Sequence, residues 1–178
     1  MPEHIHCDDV DVWFQDETRV GQQGSTTRLW ARKGTRPRAF KQQQFTYTYL
    51  YGAVCPASQL AVGLALPNAN GECMKLHMQA ISEAVPKGRH ALVIMDGAGW
   101  HQENLDLHNV TVLKLPPYSP ELNPCEQIWR YLKEHFLSNR CFDDYDSILD
   151  AVCQAWNQFS LDKERILSLC SRMWAKLA

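Results

Sequence analysis

The alternation of apolar and polar positions divides the chain into short strands first and helices last. Residues 10–16 (VDVWFQD) partly alternate and predict a strand ending at Asp16. Residues 44–54 (QFTYTYLYGAV) are dense in β-branched and aromatic side chains and predict a second strand; residues 59–66 predict a third, reached through the hairpin loop Cys55-Pro56-Ala57-Ser58. Between 18 and 42 the pattern predicts loops around a short strand near 29–31. From Asn70 or Gly71 the stripe Met74, Met78, Ile81 and Val85 predicts a helix that Pro86 and Gly88 stop. The run 90–95 (HALVIM) is nearly all apolar, the mark of a strand covered on both faces. A turn at 96–99, a strand at 109–115 and a proline-rich segment at 116–120 that excludes regular structure come next. Asn123-Pro124 opens a helix to about Ser138, and two amphipathic helices are predicted over 144–159 and 161–176. Hairpin-linked strands followed by crossover-linked ones describe an α/β fold, a mixed sheet with helices packed on it.

Composition narrows the class. A chain of 178 residues, 45% apolar and with six each of Trp, Tyr and Phe, makes one domain with a core that needs no disulfide or metal staple. The longest apolar run, 91–95, is far short of the roughly 20 residues of a membrane span. No basic-then-apolar leader opens the chain, so a soluble, cytoplasmic protein without a membrane partner is expected. Seven cysteines, widely spaced and without a Cys-x-x-Cys pair, argue against a disulfide framework or a zinc ribbon.

The net charge of −2 conceals an asymmetry. From Thr18 to Gly71 there is no acid, yet Arg19, Arg28, Arg32, Lys33, Arg36, Arg38 and Lys41 all fall there, giving +7; the other residues hold 11 bases and 20 acids, giving −9. Trp30 and Phe40 are interleaved with the cations. A solvated basic face is one reading. An arm that contacts phosphates is the other, favoured by the complete lack of acids, since ordinary surfaces mix signs.

Three carboxylates are candidates for chemistry: Asp16 at the end of the first strand, Asp96 after the most apolar one, and Glu126 in the first turn of a helix. Sites in open sheets gather outside strand ends. Each acid also has an ordinary alternative: Asp96 as a turn former, Glu126 as the third residue of a capping box begun by Asn123, Asp16 as a solvated loop residue beside Glu17. Gathered in one place, three acids repel one another, and a hard divalent cation such as Mg²⁺ or Mn²⁺ relieves that repulsion. Two such ions about 3.5–4 Å apart stabilise the attacking and leaving oxygens of phosphoryl displacement.

The run 115–129 (LPPYSPELNPCEQIW) closely resembles the signature of mariner-superfamily transposases, in particular their bacterial insertion-sequence branch. Residues 14–18 (FQDET) and 95–101 (MDGAGWH) resemble the family's two earlier acidic motifs. The resemblance implies a ribonuclease-H-like fold and a DDE triad of Asp16, Asp96 and Glu126 binding two Mg²⁺ or Mn²⁺ ions. Twenty-nine residues separate Asp96 from Glu126, somewhat fewer than is usual in the superfamily. The implied activity is metal-dependent cleavage of transposon ends and transfer of the freed 3′-OH to target DNA, by a homodimer, in bacterial cytoplasm at the nucleoid. Residues 1–178 are then expected to form one catalytic domain without the family's N-terminal helix-turn-helix. Arg28, Arg32, Lys33, Arg36, Arg38 and Lys41, with Arg130 and Lys133 on the face of Glu126, are the expected DNA contacts; an ordinary surface pair of Arg130 with Glu126 is the alternative for Arg130, and His101 is either a neighbour of the site or a core or loop histidine. A stand-alone nuclease of the same fold, or an inactive DNA-binding remnant, are the alternatives.

Overall fold

The computed structural model describes residues 5–38, 40–97, 107–116 and 119–172. Five strands, β1 (Val10–Gly21), β2 (Tyr47–Cys55), β3 (Leu60–Leu66), β4 (His90–Met95) and β5 (Val110–Lys114), form one sheet in the order β3-β2-β1-β4-β5. The hairpin-linked strands β1, β2 and β3 are antiparallel, whereas β4 and β5 run parallel to β1. This is the mixed, helix-flanked, ribonuclease-H-like sheet that the pattern and the resemblance predicted.

Helices cover both faces. Helix α1 (Gly71–Ala84), capped by Asn70 Oδ1 on the Cys73 amide at 2.9 Å, lays Met74, Met78 and Ile81 on Trp13, Tyr51 and Val93. On the opposite face α2 (Cys125–Leu132), α3 (Tyr145–Leu161) and α4 (Lys163–Cys170) bury Ile128, Trp129, Val152, Trp156 and Ile166 against Phe14, Leu50 and Val54. At the opposite end of the sheet from Asp16, Arg89 grips the buried Asp11 with two charge-assisted bonds of 2.6 and 2.7 Å, fixing the entry to β4 beside β1.

Several predicted boundaries are corrected. Strand β1 runs five residues past Asp16, because residues 14–21 pair with β2 throughout; polar Glu17, Thr18 and Arg19 concealed that pairing in the sequence. Residues 29–31 are not a strand, since nothing pairs with them, and β2 starts at Tyr47 rather than 44. The helix after Asn123 is regular only to Leu132 and then widens into a π-helical turn over Lys133–Leu137. The last helix ends at Cys170, where Ser171 turns extended, short of the predicted 176; residues from 173 lie outside the described residues.

Two glycines let the tryptophans lie close to the sheet. Asp16, Gly52 and Gly63 are register partners across β1, β2 and β3. A Cβ on Gly52 would collide with the rings of Trp129 and Trp156, and one on Gly63 with the Trp156 indole. Gly63→Ala should therefore cost about 1–3 kcal/mol through overpacking. A urea midpoint equal to that of the parent protein would show that the indole has room to move.

Candidate active site

Strand order places two of the three acids on neighbouring parallel strands or their ends. β1 and β4 are parallel, the last paired residues being Phe14 and Ile94; Asp16 and Asp96 each follow two residues later, β4 having stopped at Met95. Asp96 thus stands just past a strand end, as expected, and is exposed, while Asp16 lies within a strand that outruns its parallel neighbour. Phe14 and Val20 face α2–α4, and Asp16, two residues from Phe14, faces the same way.

The third acid arrives on α2, which is tied to three consecutive residues of β1. Cys125 Sγ donates to the Phe14 carbonyl at 3.3 Å, Asn123 Nδ2 to the Gln15 carbonyl at 2.8 Å, and Trp129 Nε1 to Asp16 Oδ2 at 2.8 Å. Glu126, next to Cys125, is exposed, and its charge acts on Asp16. The capping alternative for Glu126 is not what occurs. Asn123 Oδ1 accepts the Cys125 amide at 3.1 Å, and among the described residues no hydrogen bond reaches the Glu126 carboxylate, nor does it pair with Arg130. The capping box in this chain is instead Asp144 with Ser147, at the start of α3.

Burial pushes the Asp16 carboxyl up to about 7; the charges of Glu17 and Glu126 add to the rise, and hydrogen bonds from Trp129 and the Glu17 amide oppose it. Such a carboxyl lacks nearby positive charge. The donor set is all carboxylate, the chemistry that suits a hard divalent cation, and a cation here would restore the ionised form of Asp16. In this respect the residues fit the metal that the motifs imply. As the side chains stand, however, among the described residues no three His, Cys, Asp or Glu groups are close enough together to hold an ion. Asp16 directs Oδ2 to Trp129 and Oδ1 to the Glu17 amide at 2.9 Å. The expected convergence of three carboxylates on one ion is not reached in these positions. His101, and residues 98–106 in general, lie outside the described residues.

The basic segment leaves the sheet from the far end of β1. Arg28, Arg32, Lys33, Arg36, Arg38 and Lys41 are all exposed, as are Trp30 and Phe40. None of these cations is in an ion pair among the described residues. Gly34, at φ +86°, supplies the left-handed residue of the turn in which the Thr35 amide donates to the Arg32 carbonyl, so Arg32 and Lys33 sit at that turn. The feet of the arm are stitched to the segment between α2 and α3. Gln22 Nε2 and Gln42 Nε2 both donate to the Phe142 carbonyl at 2.8 Å, Gln42 Oε1 accepts the Phe142 amide at 2.7 Å, and Asn139 bonds the Thr27 backbone in both directions at 3.2 Å. Arg130 is exposed on α2, and Lys133 is half-buried where α2 widens. Sequence reasoning missed these amide anchors and the Trp129 bond; an amide in a polar segment carries no periodicity, and nothing local shows that the Trp129 indole reaches a carboxylate on a distant strand.

Residues 11–149 match the family model described as DDE superfamily endonuclease. The chain is 43% identical, over 131 residues, to the uncharacterized protein y4pE/y4sA of Sinorhizobium fredii, covering 72% of this chain and 97% of that protein. Among solved structures it is similar to the mariner Mos1 paired end complex with Mg, at TM-score 0.65 and 17% identity, covering 89% of this chain and 50% of that one. It is also similar to the Mos1 paired end complex with Mn, at TM-score 0.58 and 16% identity, and to the Mos1 Strand Transfer Complex, at TM-score 0.57 and 16% identity; each match covers 89% of this chain. The chain spans about half the length of these solved transposase chains, and at such identities the likeness is one of fold.

The folded Asp16 carboxyl, near 7, lies above its ordinary value of 3.8, so folding favours its protonated form. That stabilisation is fully present below about pH 4 and is lost as the pH rises to about 7. Buried His77, lowered by desolvation to about 4, works the other way, gaining stability for the fold up to about pH 6.5. The Asp16 contribution is therefore read by difference. Melting temperatures of metal-free protein at pH 5 to 8 should show the gap between Asp16→Asn and the parent shifting in favour of the variant with rising pH. A constant gap would mean that Asp16 titrates as an ordinary carboxyl.

Proposed function

The chain belongs to the DDE superfamily endonuclease family, and from that premise we propose that it is the catalytic domain of a transposase, cutting DNA at element ends and joining them to a target. The observation that carries this reading is the placement of Asp16 on β1 and of Asp96 just past the end of its parallel neighbour β4, with the helix of Glu126 hydrogen-bonded across β1. The resemblance of residues 115–129 supports the bacterial insertion-sequence branch and, with it, a cytoplasmic, nucleoid-associated protein. The paired-end complexes among its structural neighbours support a working unit of two copies. The matched residues, 11–149, fit one catalytic domain.

In this reading Asp16, Asp96 and Glu126 hold one or two Mg²⁺ or Mn²⁺ ions. When bound, such ions stabilise charge on the oxygens entering and leaving phosphorus. The chain's own residues do the rest. Trp129 fixes the orientation of Asp16, and Asn123 and Cys125 fix the height of Glu126 above β1. Arg130 and Lys133, four and seven residues beyond Glu126, offset phosphate charge beside acids that repel it. The cations from Arg28 to Lys41 supply the long-range attraction. Water attacks at the element end, freeing a 3′-OH, which then attacks the target strand; no residue becomes covalently attached.

Two measurements test the proposal. Glu126→Gln and Asp96→Asn alter exposed carboxylates and should leave stability within about 0.5 kcal/mol. Mn²⁺-dependent nicking of supercoiled DNA should nevertheless fall roughly a hundredfold or more, since fixed coordination is lost. Full nicking by either variant would break the triad, and nicking without joining of pre-cleaved ends would identify a nuclease instead.

DNA binding should depend steeply on salt and little on sequence, because contacts to phosphate carry no sequence information. Replacing Arg32 and Lys33 with Gln should reduce the log–log salt slope for duplex DNA by about 2, at about 0.9 per lost contact. An unchanged slope would remove the turn of the arm from the interface.

A further inference from the structure

We propose that the cleft at the foot of the basic arm is a subsite for one unpaired nucleotide of the DNA strand that passes the acids, an inference that rests on the DNA-processing reading above. The cleft has a volume of about 220 Å³ and lies between Arg19 and Tyr47 on the β1–β2 ribbon, Phe45 leading into β2, and Lys133 and Leu137 on the π-helical turn after α2. Its charge is one-sided: Arg19 and Lys133 line it, no acid does, and among the described residues neither cation is in an ion pair.

Of its two rings Phe45 is open, while Tyr47 already meets Arg19 over its face and Tyr49 edge-on at 5.7 Å. Phe45 is 76% exposed and Tyr47 40%, with the Arg19 guanidinium 5.1 Å above the Tyr47 ring. Exposed aromatic rings beside unpaired cations are the equipment of single-strand binding, in which a base stacks on a ring and the backbone meets the positive charge. A duplex keeps its bases stacked inside and presents only phosphates, so it uses the cations and leaves the rings idle.

Position supports the same ligand. Arg19 lies three residues along β1 from Asp16, about 10 Å at strand rise, and its side chain leaves the other face of the strand to meet the Tyr47 ring. Lys133 lies seven residues along from Glu126, also about 10 Å at helical rise. The cleft thus lies near the ends of both elements that carry acids, with Lys133 on the side of α2 and Arg19 reaching it from the other side of the β1–β2 ribbon. The arm's anchors, Gln22 and Gln42 on Phe142, keep the cleft's walls together without using its cations.

The experiment compares the parent protein, Phe45→Ala and Lys133→Gln for binding to a fluorescein-labelled oligothymidylate and to a duplex of equal length, with melting temperatures as a check of the fold. Phe45→Ala should weaken oligothymidylate binding about fivefold or more and leave the duplex unaffected. Lys133→Gln should reduce the single-strand salt slope by about 0.7. Moving an abasic position along the oligonucleotide should reveal one site whose loss weakens the parent but not Phe45→Ala. If the parent binds duplex through the arm while Phe45→Ala binds oligothymidylate as well as the parent does, the subsite is overturned and the DNA reading stands. If the parent binds neither, the DNA reading falls and the subsite with it.

Discussion

The bond from Trp129 Nε1 to Asp16 Oδ2 is the contact on which the site depends, and it exists because two glycines make room for it. An indole can reach across a sheet to a strand carboxylate only if the intervening strand presents no side chain. Gly52, the register partner of Asp16, leaves that gap, and Trp156 fills the adjoining one over Gly63. One row across three strands thus decides both how closely α2 approaches and where Asp16 points. Because Glu126 rides on the same helix, the row also sets the separation between two of the acids.

The arrangement holds a conflict. The rings that fix Asp16 also strip water from it, and desolvation is the largest reason its carboxyl holds a proton to about 7. The indole N–H returns part of what the ring removes. A site built this way is poorly stabilised when empty of cations, in keeping with the tendency of active sites to sacrifice stability for chemistry. On the other face, the fully buried and neutral His77 against Tyr51 adds a further polar burden under α1.

Much of the framework was legible because period and burial coincide. The apolar run His90–Met95 lies inside the sheet with β1 and β5 on either side, as its lack of alternation requires, and the stripe on α1 faces the core. Asp96 and Glu126 were found at a strand end and in a helix's first turn because such places have sequence markers. What was not legible depends on pairing between distant residues. Nothing local in Glu17-Thr18-Arg19 reveals that Tyr51, Leu50 and Tyr49 lie opposite, so Asp16 looked like a terminus. The π-helical turn over Lys133–Leu137 follows from how α2 meets α3 and the arm, not from the helix-forming residues that compose it.

The amide anchors at the base of the arm have an evolutionary consequence. Gln22, Gln42 and Asn139 hold the segment by neutral hydrogen bonds to backbone atoms, independent of the charge beyond them. Residues between the anchors can change without breaking the hydrogen bonds that fix the ends of the arm to the rest of the fold. Selection can therefore vary the charge carried by the arm separately from the residues around Asp16.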